Sequence, residues 1–303
     1  MLHLTNNNND CYLNSSIQIL LNIPIFNSLF NDINYRSPEI LKLFKYIIDT
    51  NKSTKILNGF HIKKILSNYS QLFNNNEQQD CHETIIILLT LIHENYKIEY
   101  DYDDIYLSKE SYKSWIKEIN LFGYSYIIKN FMGQFKNITK CNNCDYNSIQ
   151  YDNFNSLSLQ ITDDNSSIND CLYNFIKNEK LNDAICEKCK NKTLIKKTTI
   201  WKFPNILIIQ LNRFIYINNY ITRKINYNVL LQDTINIKSN NYVHNYKLNS
   251  YIEHFGGNSA NIGHYTANIF YNNEWYNTND DVVKKINRKD KSNNVYIMIY
   301  ENC

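Results

Sequence analysis

Four of the eight cysteines form two Cys-x-x-Cys pairs, Cys141 with Cys144 and Cys186 with Cys189. Two such pairs supply four thiolates, the ligand set of a closed, tetrahedral, structural zinc site. The sequence therefore predicts one structural Zn²⁺ that clips two hairpins together at their tips. The alternatives are that one pair is incidental, or that the fold has been kept while the metal has been lost.

Lysines cluster around the second pair, which raises the alternative of a nucleic-acid-binding zinc ribbon. They are Lys188, Lys190, Lys192, Lys196 and Lys197. That interpretation leaves the rest of the chain unexplained, and the net charge of +3 is too small to indicate a nucleic-acid partner by itself. We expect no nucleic-acid partner.

Cys11 is a candidate nucleophile because it opens a predicted helix. The apolar stripe of that helix runs through Leu13, Ile17 and Leu20. A helix N-terminus carries partial positive charge and free amides, which favour the reactive thiolate. A lone cysteine is more often a small buried hydrophobe, and the carboxylate of Asp10 opposes thiolate formation slightly. Catalysis would also require a base and a group that orients it.

His264 is the preferred base among the seven histidines, with His82 and His254 as weaker candidates. Three of the chain's six glycines fall in residues 256–263, just before it. Such local use of glycine indicates unusual backbone angles or a close approach of substrate. The alternative is a strand histidine that is hydrogen-bonded in the core.

The elements that would position these residues indicate an α+β fold. The first 110 or so residues have helical periodicity, with a helix start at Ser37-Pro38-Glu39 and an apolar segment at residues 83–93 that favours a helix by its length. From about Phe131 the pattern changes to short strands. Residues 206–211 and 295–300 read as buried strands, and residues 264–277 as a hairpin turning at Asn272-Asn273.

Composition excludes several other classes of protein. The longest apolar stretch, residues 84–92, is far shorter than the roughly 20 residues of a membrane span. Residues 1–10 lack the features of a signal peptide, so the cysteines are expected to be reduced and the protein to be intracellular, in cytoplasm or nucleus. The asparagine runs at residues 6–9 and 74–76 could be low-complexity filler.

Several blocks of the chain resemble the ubiquitin-specific proteases, a papain-like family of cysteine peptidases. Residues 4–18, LTNNNNDCYLNSSIQ, resemble the family's cysteine box, typically Gly-Leu-x-Asn-x-Gly-Asn-Thr-Cys-Tyr-x-Asn-Ser. Residues 78–83 resemble its Gln-Gln-Asp segment, and residues 203–214 its Leu-Pro…Leu-x-Arg-Phe strand. Residues 246–282 resemble its histidine box. The blocks follow the family's order, and the zinc pairs fall between them, where the family carries its fingers.

The resemblance implies catalytic roles for five residues. Cys11 would be the nucleophile, His264 the base, and Asn6 the oxyanion-hole amide. Asn279 falls where the family places the partner of the histidine, and Asp280 falls on the acidic residue that follows. Asn279 is preferred as the partner, while Asp280 could assist or take the role outright.

The resemblance also implies a binding site for the extended tail of the substrate. Its residues would be Gln79, Asp80, Gly263 and Tyr265. The cluster of Cys141, Cys144, Cys186 and Cys189 would hold the fingers together.

Three positions depart from the family's pattern. Asn8 stands where the family has glycine, and asparagine tolerates the left-handed backbone that such a turn requires. Asp10 replaces a threonine, with an effect on rate whose direction the sequence leaves open. Phe203 replaces a leucine, which is a mild change.

The implied protein is a single catalytic domain over residues 1–303, with a helical thumb, a β-rich palm and zinc-clipped β fingers. The thumb would span about 1–115, the fingers about 130–200, and the palm about 116–130 and 201–303. It would act as a monomer on ubiquitin and ubiquitinated proteins, hydrolysing the bond after the C-terminal glycine of ubiquitin, with no membrane partner. The alternatives are a catalytically weak ubiquitin-binding relative and a protease for another ubiquitin-like modifier.

Overall fold

The computed structural model describes residues 1–53, 56–100, 108–218, 221–239 and 242–303. Within these ranges the α-helices are α1 (Cys11–Leu21), α2 (Pro24–Ser28), α3 (Glu39–Lys52), α4 (Gly59–Leu66), α5 (Cys81–Asn95), α6 (Lys109–Phe122), α7 (Tyr126–Phe131) and α8 (Ile168–Ile176), and a 3-10 turn spans Gln71–Phe73.

Strands make up most of the chain after α7. The strands are β1 (His3–Thr5), β2 (Ile56–Asn58), β3 (Gly133–Cys141), β4 (Asn147–Phe154), β5 (Leu157–Gln160), β6 (Ser166–Ser167), β7 (Glu179–Leu181), β8 (Leu194–Lys202), β9 (Ile206–Asn212), β10 (Phe214–Asn218), β11 (Ile221–Lys224), β12 (Val229–Leu230), β13 (Thr234–Ser239), β14 (Tyr242–Ser259), β15 (Ile262–Tyr271), β16 (Glu274–Asn279), β17 (Val282–Ile286), β18 (Lys291–Ser292) and β19 (Val295–Asn302). Helices followed by a sheet-rich remainder confirm the predicted α+β class.

The helical lobe is built on apolar stripes. The stripe predicted after Glu39 is buried along α3, because residues at helical spacing share one face. Every residue of α1 is buried, since this helix packs against both α5 and β15. No helix in the described ranges is both long enough and apolar enough to cross a membrane.

The start of α3 differs slightly from the sequence prediction. The helix begins at Glu39 and Pro38 occupies the cap position, whereas the Ser37-Pro38-Glu39 pattern predicts Ser37 as the cap and Pro38 as the first helical residue. Pro38 has an extended backbone with a ψ of 148°, so it lies outside the helix. Glu39 still lies in the first turn, where its charge suits the helix dipole.

The largest sheet has the order β17-β16-β15-β14-β19-β9-β5, with β13 also paired to β14. Its centre is buried on both faces. In β19, Ile297 and Ile299 belong to the core shared with the helical lobe, whereas Met298 and Tyr300 belong to a second core that includes residues of α8. Successive strand residues point to opposite faces. Two cores therefore explain why β9 and β19 read as continuous apolar runs.

A second sheet has the order β4-β3-β8-β7 and consists of two antiparallel hairpins, β3–β4 and β7–β8. The chain leaves this sheet between the hairpins, because β5 pairs with β9 in the large sheet and β6 pairs with β12. The segment expected to form the fingers therefore includes strands that belong elsewhere in the fold.

The β15–β16 hairpin brings two candidate site residues near each other. Its two-residue turn is Asn272-Asn273, with φ values of 50° and 64°. Positive φ at both positions is the geometry of a type I′ turn, which asparagine tolerates. The register of the pair places Tyr271 opposite Glu274 and Ala267 opposite Thr278. His264 near the start of β15 and Asn279 at the end of β16 therefore lie at the same end of the hairpin.

Arg213 ties together three segments of the sheet-rich part. Its side chain is fully buried. The guanidinium donates hydrogen bonds to the carbonyl oxygens of Val295, Ile225 (2.9 Å), Tyr227 (3.0 Å) and Ser292 (3.3 Å). The planar fork of arginine spreads five donors over three nitrogens and so spans acceptors that the compact ammonium of lysine cannot all reach from one position.

We expect Arg213→Lys to lower the free energy of unfolding by at least about 2 kcal/mol, because buried carbonyls lose charge-assisted hydrogen bonds. Urea unfolding monitored by circular dichroism measures this change. The exposed Arg36 provides the control, and Arg36→Lys should change stability by less than about 0.5 kcal/mol. Equal effects of the two substitutions would contradict this account of Arg213.

Candidate active site and candidate metal site

Cys11 is the first residue of α1, and its side chain is 2% exposed. The N-cap residue Asp10 makes no side-chain capping hydrogen bond. The first N–H groups of a helix have no partner inside the helix, so they remain available to stabilise negative charge near Cys11. Helix α1 packs on β15, the strand that contains His264, so the N-terminus of α1 lies near that strand.

The side chain of Cys11 lies close enough to His264 to act on its ionisation. This proximity, followed by the hydrogen bond to Asn279 and the negative charges of Cys11 and Asp280, raises the pKa of His264 to about 9 against the opposing effect of burial. An imidazole that stays protonated at neutral pH suits a thiolate–imidazolium pair.

Asn279 orients the imidazole ring. Its Oδ1 lies 2.7 Å from Nε2 of His264. A side-chain amide oxygen can only accept a hydrogen bond, so this contact places a proton on Nε2. The ring is therefore held between Cys11 and Asn279, the arrangement of nucleophile, base and orienting group that cysteine proteases use.

Asp280 has different hydrogen-bond partners from Asn279, the residue before it. Its backbone has a φ of 52°. One carboxylate oxygen accepts a hydrogen bond from Nδ2 of Asn6 (2.9 Å), and the other accepts one from Nδ2 of Asn14 (2.8 Å). Asp280 thus joins the end of β16 to the segment before α1 and to α1 itself, while its charge acts on His264 from a distance.

Asn6 lies at the surface beside the nucleophile. Its Oδ1 accepts a hydrogen bond from the N–H of Asp10 (2.9 Å), which fixes the turn between residues 6 and 10. Its NH₂ group has two hydrogens, and one is donated to Asp280. The second hydrogen can serve an oxyanion at the Cys11 side of the turn.

The left-handed residue of this turn is Asn9 rather than Asn8. Asn9 has a φ of 61°, so the expectation placed on Asn8 is corrected by one residue. Nδ2 of Asn9 donates to the carbonyl of Asn76 (3.0 Å), and Oδ1 of Asn75 accepts a hydrogen bond from Nε2 of Gln79 (3.1 Å). Residues of both asparagine runs therefore support segments of the site.

Asp80 forms internal contacts with both of its oxygens. Oδ1 caps α5 by accepting a hydrogen bond from the N–H of His82 (2.7 Å), and Oδ2 accepts one from the hydroxyl of Tyr296 (2.7 Å). The second contact joins the helical lobe to β19. Nε2 of His82 lies 3.1 Å from Oγ of Ser156, and burial lowers the pKa of this ring.

Gly263 sits between the two lobes, directly before His264. Its N–H donates to Oε1 of Gln78 from the helical lobe (2.7 Å). Gly263 has a φ of 149°, and a Cβ there would lie 2.5 Å from Nε2 of His254. The fully buried His254 ring, whose pKa burial lowers to about 4, thus packs against the glycine and fills the space of a side chain.

The side chain of Tyr265 faces the core instead of the cleft. It is 2% exposed, and its hydroxyl donates to the carbonyl of Ala260 (2.8 Å). Its position in β15 explains this, because neighbouring strand residues point to opposite faces. The side chain supports the glycine-rich loop, and any contact with a substrate would come from its neighbours.

Asn14 and Gln78 are site residues that the sequence analysis did not single out. Asn14 binds Asp280, and Gln78 binds the backbone before His264. Both stand within motifs that resemble the family. A neutral amide has no acid–base chemistry of its own, so residue type alone provided no signal for a functional position.

The four paired cysteines form a cluster that could hold a metal ion. The sulfur atoms of Cys141, Cys144, Cys186 and Cys189 all lie within 4.8 Å of one another. The distance is 3.6 Å between Cys141 and Cys189 and 3.7 Å between Cys144 and Cys186. A tetrahedron with Zn–S bonds of about 2.3 Å has edges of about 3.8 Å, so the donor set fits zinc.

The residue Thr193 supports this cluster. Its Oγ1 is 3.2 Å from the sulfur of Cys141, and the N–H of Asn143 donates to the same sulfur over 3.3 Å. These hydrogen bonds, that of Thr193 most strongly, lower the pKa of Cys141 to about 6. Such donors favour the thiolate form that a metal ligand requires.

Comparison of the sequence with protein families finds a match to ubiquitin carboxyl-terminal hydrolases over residues 2–300. The chain is 27% identical to ubiquitin carboxyl-terminal hydrolase 36 of Drosophila simulans, in an alignment that covers 98% of this chain and 31% of that protein. It is 26% identical to probable ubiquitin carboxyl-terminal hydrolase 4 of Schizosaccharomyces pombe, covering 98% and 58%. The chain therefore spans less than two thirds of the length of these relatives.

Solved structures with a similar fold include the deubiquitinating module of the yeast SAGA complex. One such structure, with a mutant Sgf73, gives a TM-score of 0.80 at 25% identity, covering 100% of this chain and 68% of the other. Another, the Ubp8/Sgf11/Sus1/Sgf73 module bound to ubiquitin aldehyde, gives a TM-score of 0.79 at 23% identity and shows similarity of fold. This fold, with the four-cysteine cluster, agrees with the fold class predicted from the sequence.

The raised pKa of His264 is directly measurable by NMR of the labelled imidazole. We expect half-protonation near pH 9 in the wild type, a large decrease towards the ordinary value of about 6.5 in Cys11→Ala, and a smaller decrease in Asn279→Ala. Because the folded-state pKa is raised, its contribution to stability is complete below about pH 6.5 and is lost as the pH rises through 9. Half-protonation near pH 6.5 in the wild type would contradict the Cys11–His264 contact.

Proposed function

This chain belongs to the ubiquitin carboxyl-terminal hydrolase family, and on that premise we propose that it is a deubiquitinating thiol protease. It hydrolyses the isopeptide or peptide bond that follows the C-terminal glycine of ubiquitin. The observation that carries this proposal is the 2.7 Å hydrogen bond between Asn279 and His264, with Cys11 close enough to raise the pKa of the same imidazole.

The first half of the reaction forms an acyl-enzyme. The thiolate of Cys11 attacks the carbonyl carbon of the terminal glycine, and the carbonyl oxygen becomes an oxyanion. The free N–H groups at the start of α1 and the amide of Asn6 stabilise that charge. The imidazolium of His264 then gives its proton to the leaving amine, the C–N bond breaks, and a thioester on Cys11 remains.

The second half regenerates the thiol enzyme. Neutral His264 accepts a proton from a water molecule, which attacks the thioester and releases the carboxylate of ubiquitin. Asn279 keeps the same ring nitrogen protonated throughout both halves. Asp280 offers a negative charge to the imidazolium and holds Asn6 by hydrogen bonding, so it acts as a positioning residue.

The tail of the substrate would lie between the helical lobe and the large sheet. The Gln78–Gly263 hydrogen bond crosses this boundary, and the Asp80–Tyr296 hydrogen bond crosses it a short distance away. A passage beside these contacts would be narrow and would admit only residues without side chains, which matches a Gly-Gly terminus. Gln79, next to Asp80, is exposed enough to contact the tail. Of the predicted binding residues, Gly263 and Gln79 are the ones we propose touch it directly.

The four-cysteine cluster would hold a structural Zn²⁺. Thiolates of Cys141, Cys144, Cys186 and Cys189 would occupy all four coordination positions, leaving none for catalysis. The ion would fix the ends of the β3–β4 and β7–β8 hairpins relative to each other. It would thereby support binding of the ubiquitin body through the β4-β3-β8-β7 sheet, without entering the reaction. The protein would act as a monomer that needs no membrane or nucleic acid.

Ubiquitin that carries a C-terminal electrophile tests the proposed activity. We expect an adduct of one ubiquitin on the wild type by intact mass, no adduct on Cys11→Ala, and at least about a hundredfold slower reaction of His264→Ala. Cys303→Ala removes an exposed cysteine outside the site and should react like the wild type. A folded protein that binds ubiquitin without forming an adduct would instead indicate an inactive relative.

Metal analysis of purified protein tests the zinc proposal. We expect about one zinc per chain, and less than half that content in Cys186→Ser, because the site loses one of four ligands. Cys303→Ser should retain the full content. Zinc in the wild type that persists undiminished in Cys186→Ser would place the ion elsewhere, and no metal in the wild type would end the proposal.

A further inference from the structure

A buried ion pair lies directly beside the nucleophile. Nζ of Lys63 is 2.8 Å from Oδ1 of Asp10, and the two side chains are 4% and 0% exposed. Asp10 immediately precedes Cys11 and occupies the N-cap position of α1, where a side-chain carboxylate usually accepts a hydrogen bond from the helix. Here the carboxylate makes no capping bond and is committed to Lys63 instead.

Asp10 also fixes the turn that carries Asn6. The N–H of Asp10 donates to Oδ1 of Asn6 over 2.9 Å, and Asn6 in turn donates to Asp280. A displacement of Asp10 would therefore move Cys11 and Asn6 together relative to His264. The position of this one residue controls both ends of the turn.

Lys63 belongs to helix α4, whose start lies close to the segment that leads into this turn. Its start is closely attached there, since a Cβ on Gly59 would lie 2.6 Å from the carbonyl oxygen of Thr5. Oδ1 of Asn58 caps α4 by accepting a hydrogen bond from the N–H of Phe60 (3.0 Å), and it also accepts one from Nδ2 of Asn7 (3.3 Å). Lys63 is thus held at a defined position beside Asp10, the residue that precedes the nucleophile.

The two charges depend on each other. Oδ2 of Asp10 is buried and has no hydrogen-bond partner among the described residues, so Lys63 is the main compensation for the carboxylate. A negative charge beside Cys11 disfavours its thiolate, whereas a positive charge favours it. Other titratable groups that interact with Cys11 or His264 come from α1, α5, β14 and the turn after β16, namely Tyr12, Cys81, His254 and Asp280.

We propose that Asp10 and Lys63 act as a positioning pair, in which Asp10 fixes the Asn6–Cys11 turn and Lys63 cancels the charge that Asp10 places beside the nucleophile. The catalytic meaning of the pair rests on the proposed function. Its electrostatic effect on Cys11 does not, because it can be measured without ubiquitin.

The pH dependence of Cys11 alkylation by iodoacetamide tests this proposal. Mass spectrometry of the Cys11 peptide measures the rate, with the exposed Cys303 in the same sample as internal reference. Lys63→Met should move the midpoint of the profile up by roughly one pH unit, which is about tenfold slower alkylation below the midpoint. Asp10→Asn should move it down by a similar amount, and the double variant should return close to the wild type.

The opposite signs distinguish a charge effect from general damage to the fold. A change that merely loosened the structure would move both single variants in the same direction. Lys64→Met removes the neighbouring, exposed lysine of α4 and should leave the profile unchanged. If Lys63→Met does not fold, Lys63→Gln provides the same loss of charge with a polar side chain.

Shifts in the same direction, or no shift in either single variant, would overturn the proposal. A protein that shows the opposite shifts but never forms a ubiquitin adduct would retain the ion-pair effect and lose the deubiquitinase assignment. If the opposite shifts and the ubiquitin adduct are both observed, hydrolysis of a C-terminal amide of ubiquitin should show a lowered kcat and a nearly unchanged KM in Lys63→Met. The reason is that the pair adjoins Cys11 in the chain, while α4, within the described ranges, packs on α1, α3 and β1 and not on the β4-β3-β8-β7 sheet.

Discussion

The interaction between the neighbouring side chains of Cys11 and His264 is the one on which the rest of the structure depends. The first residue of α1 and a residue of β15 meet across the junction of the helical lobe and the large sheet. Burial along the whole of α1 keeps this helix in place, because a shift would expose its apolar residues and break the hydrogen bonds of buried Asn14 and Gln18. The protonated state of His264 follows from the contact, and the chemistry that we propose follows from the protonated state.

Neutral amides do most of the positioning around this contact. Asn279 orients the imidazole, Asn6 and Asn14 bind the two oxygens of Asp280, and Gln78 holds the backbone before His264. An amide offers both donors and an acceptor without adding charge. The amides therefore hold the site rigid without adding charge, and a few ionised groups, among them the Asp10–Lys63 pair, determine the electric field at the site.

Much of the architecture could be predicted from the sequence, for reasons that differ between elements. The helical stripe of α3, the buried runs of β9 and β19 and the Asn272-Asn273 hairpin follow from periodicity and turn chemistry, which act over a few residues. The pairing of β5 with β9 and of β6 with β12, between the β3–β4 and β7–β8 hairpins, could not be predicted, because strand pairing over long distances leaves no local pattern.

In the candidate site, too, some features follow from the local sequence and others depend on packing with distant segments. Residue type and a helix start pointed to Cys11, and clustered glycines pointed to His264, which the structure brings together. The orientation of side chains within a motif was not accessible: the inward-facing Tyr265, the left-handed Asn9 and the internal contacts of Asp80 depend on packing with distant segments. Lys63 carried no signal at all, because its role arises from a residue far away in the sequence.

The most direct test of the central claim is to quench the enzyme with acid during turnover of a ubiquitin C-terminal ester and to analyse the Cys11 peptide by mass spectrometry. The account predicts a hydroxylamine-sensitive thioester between Cys11 and the terminal glycine, and a hydroxylamine-stable ester in Cys11→Ser. Turnover without any acyl group on residue 11, retained in Cys11→Ala, would contradict it.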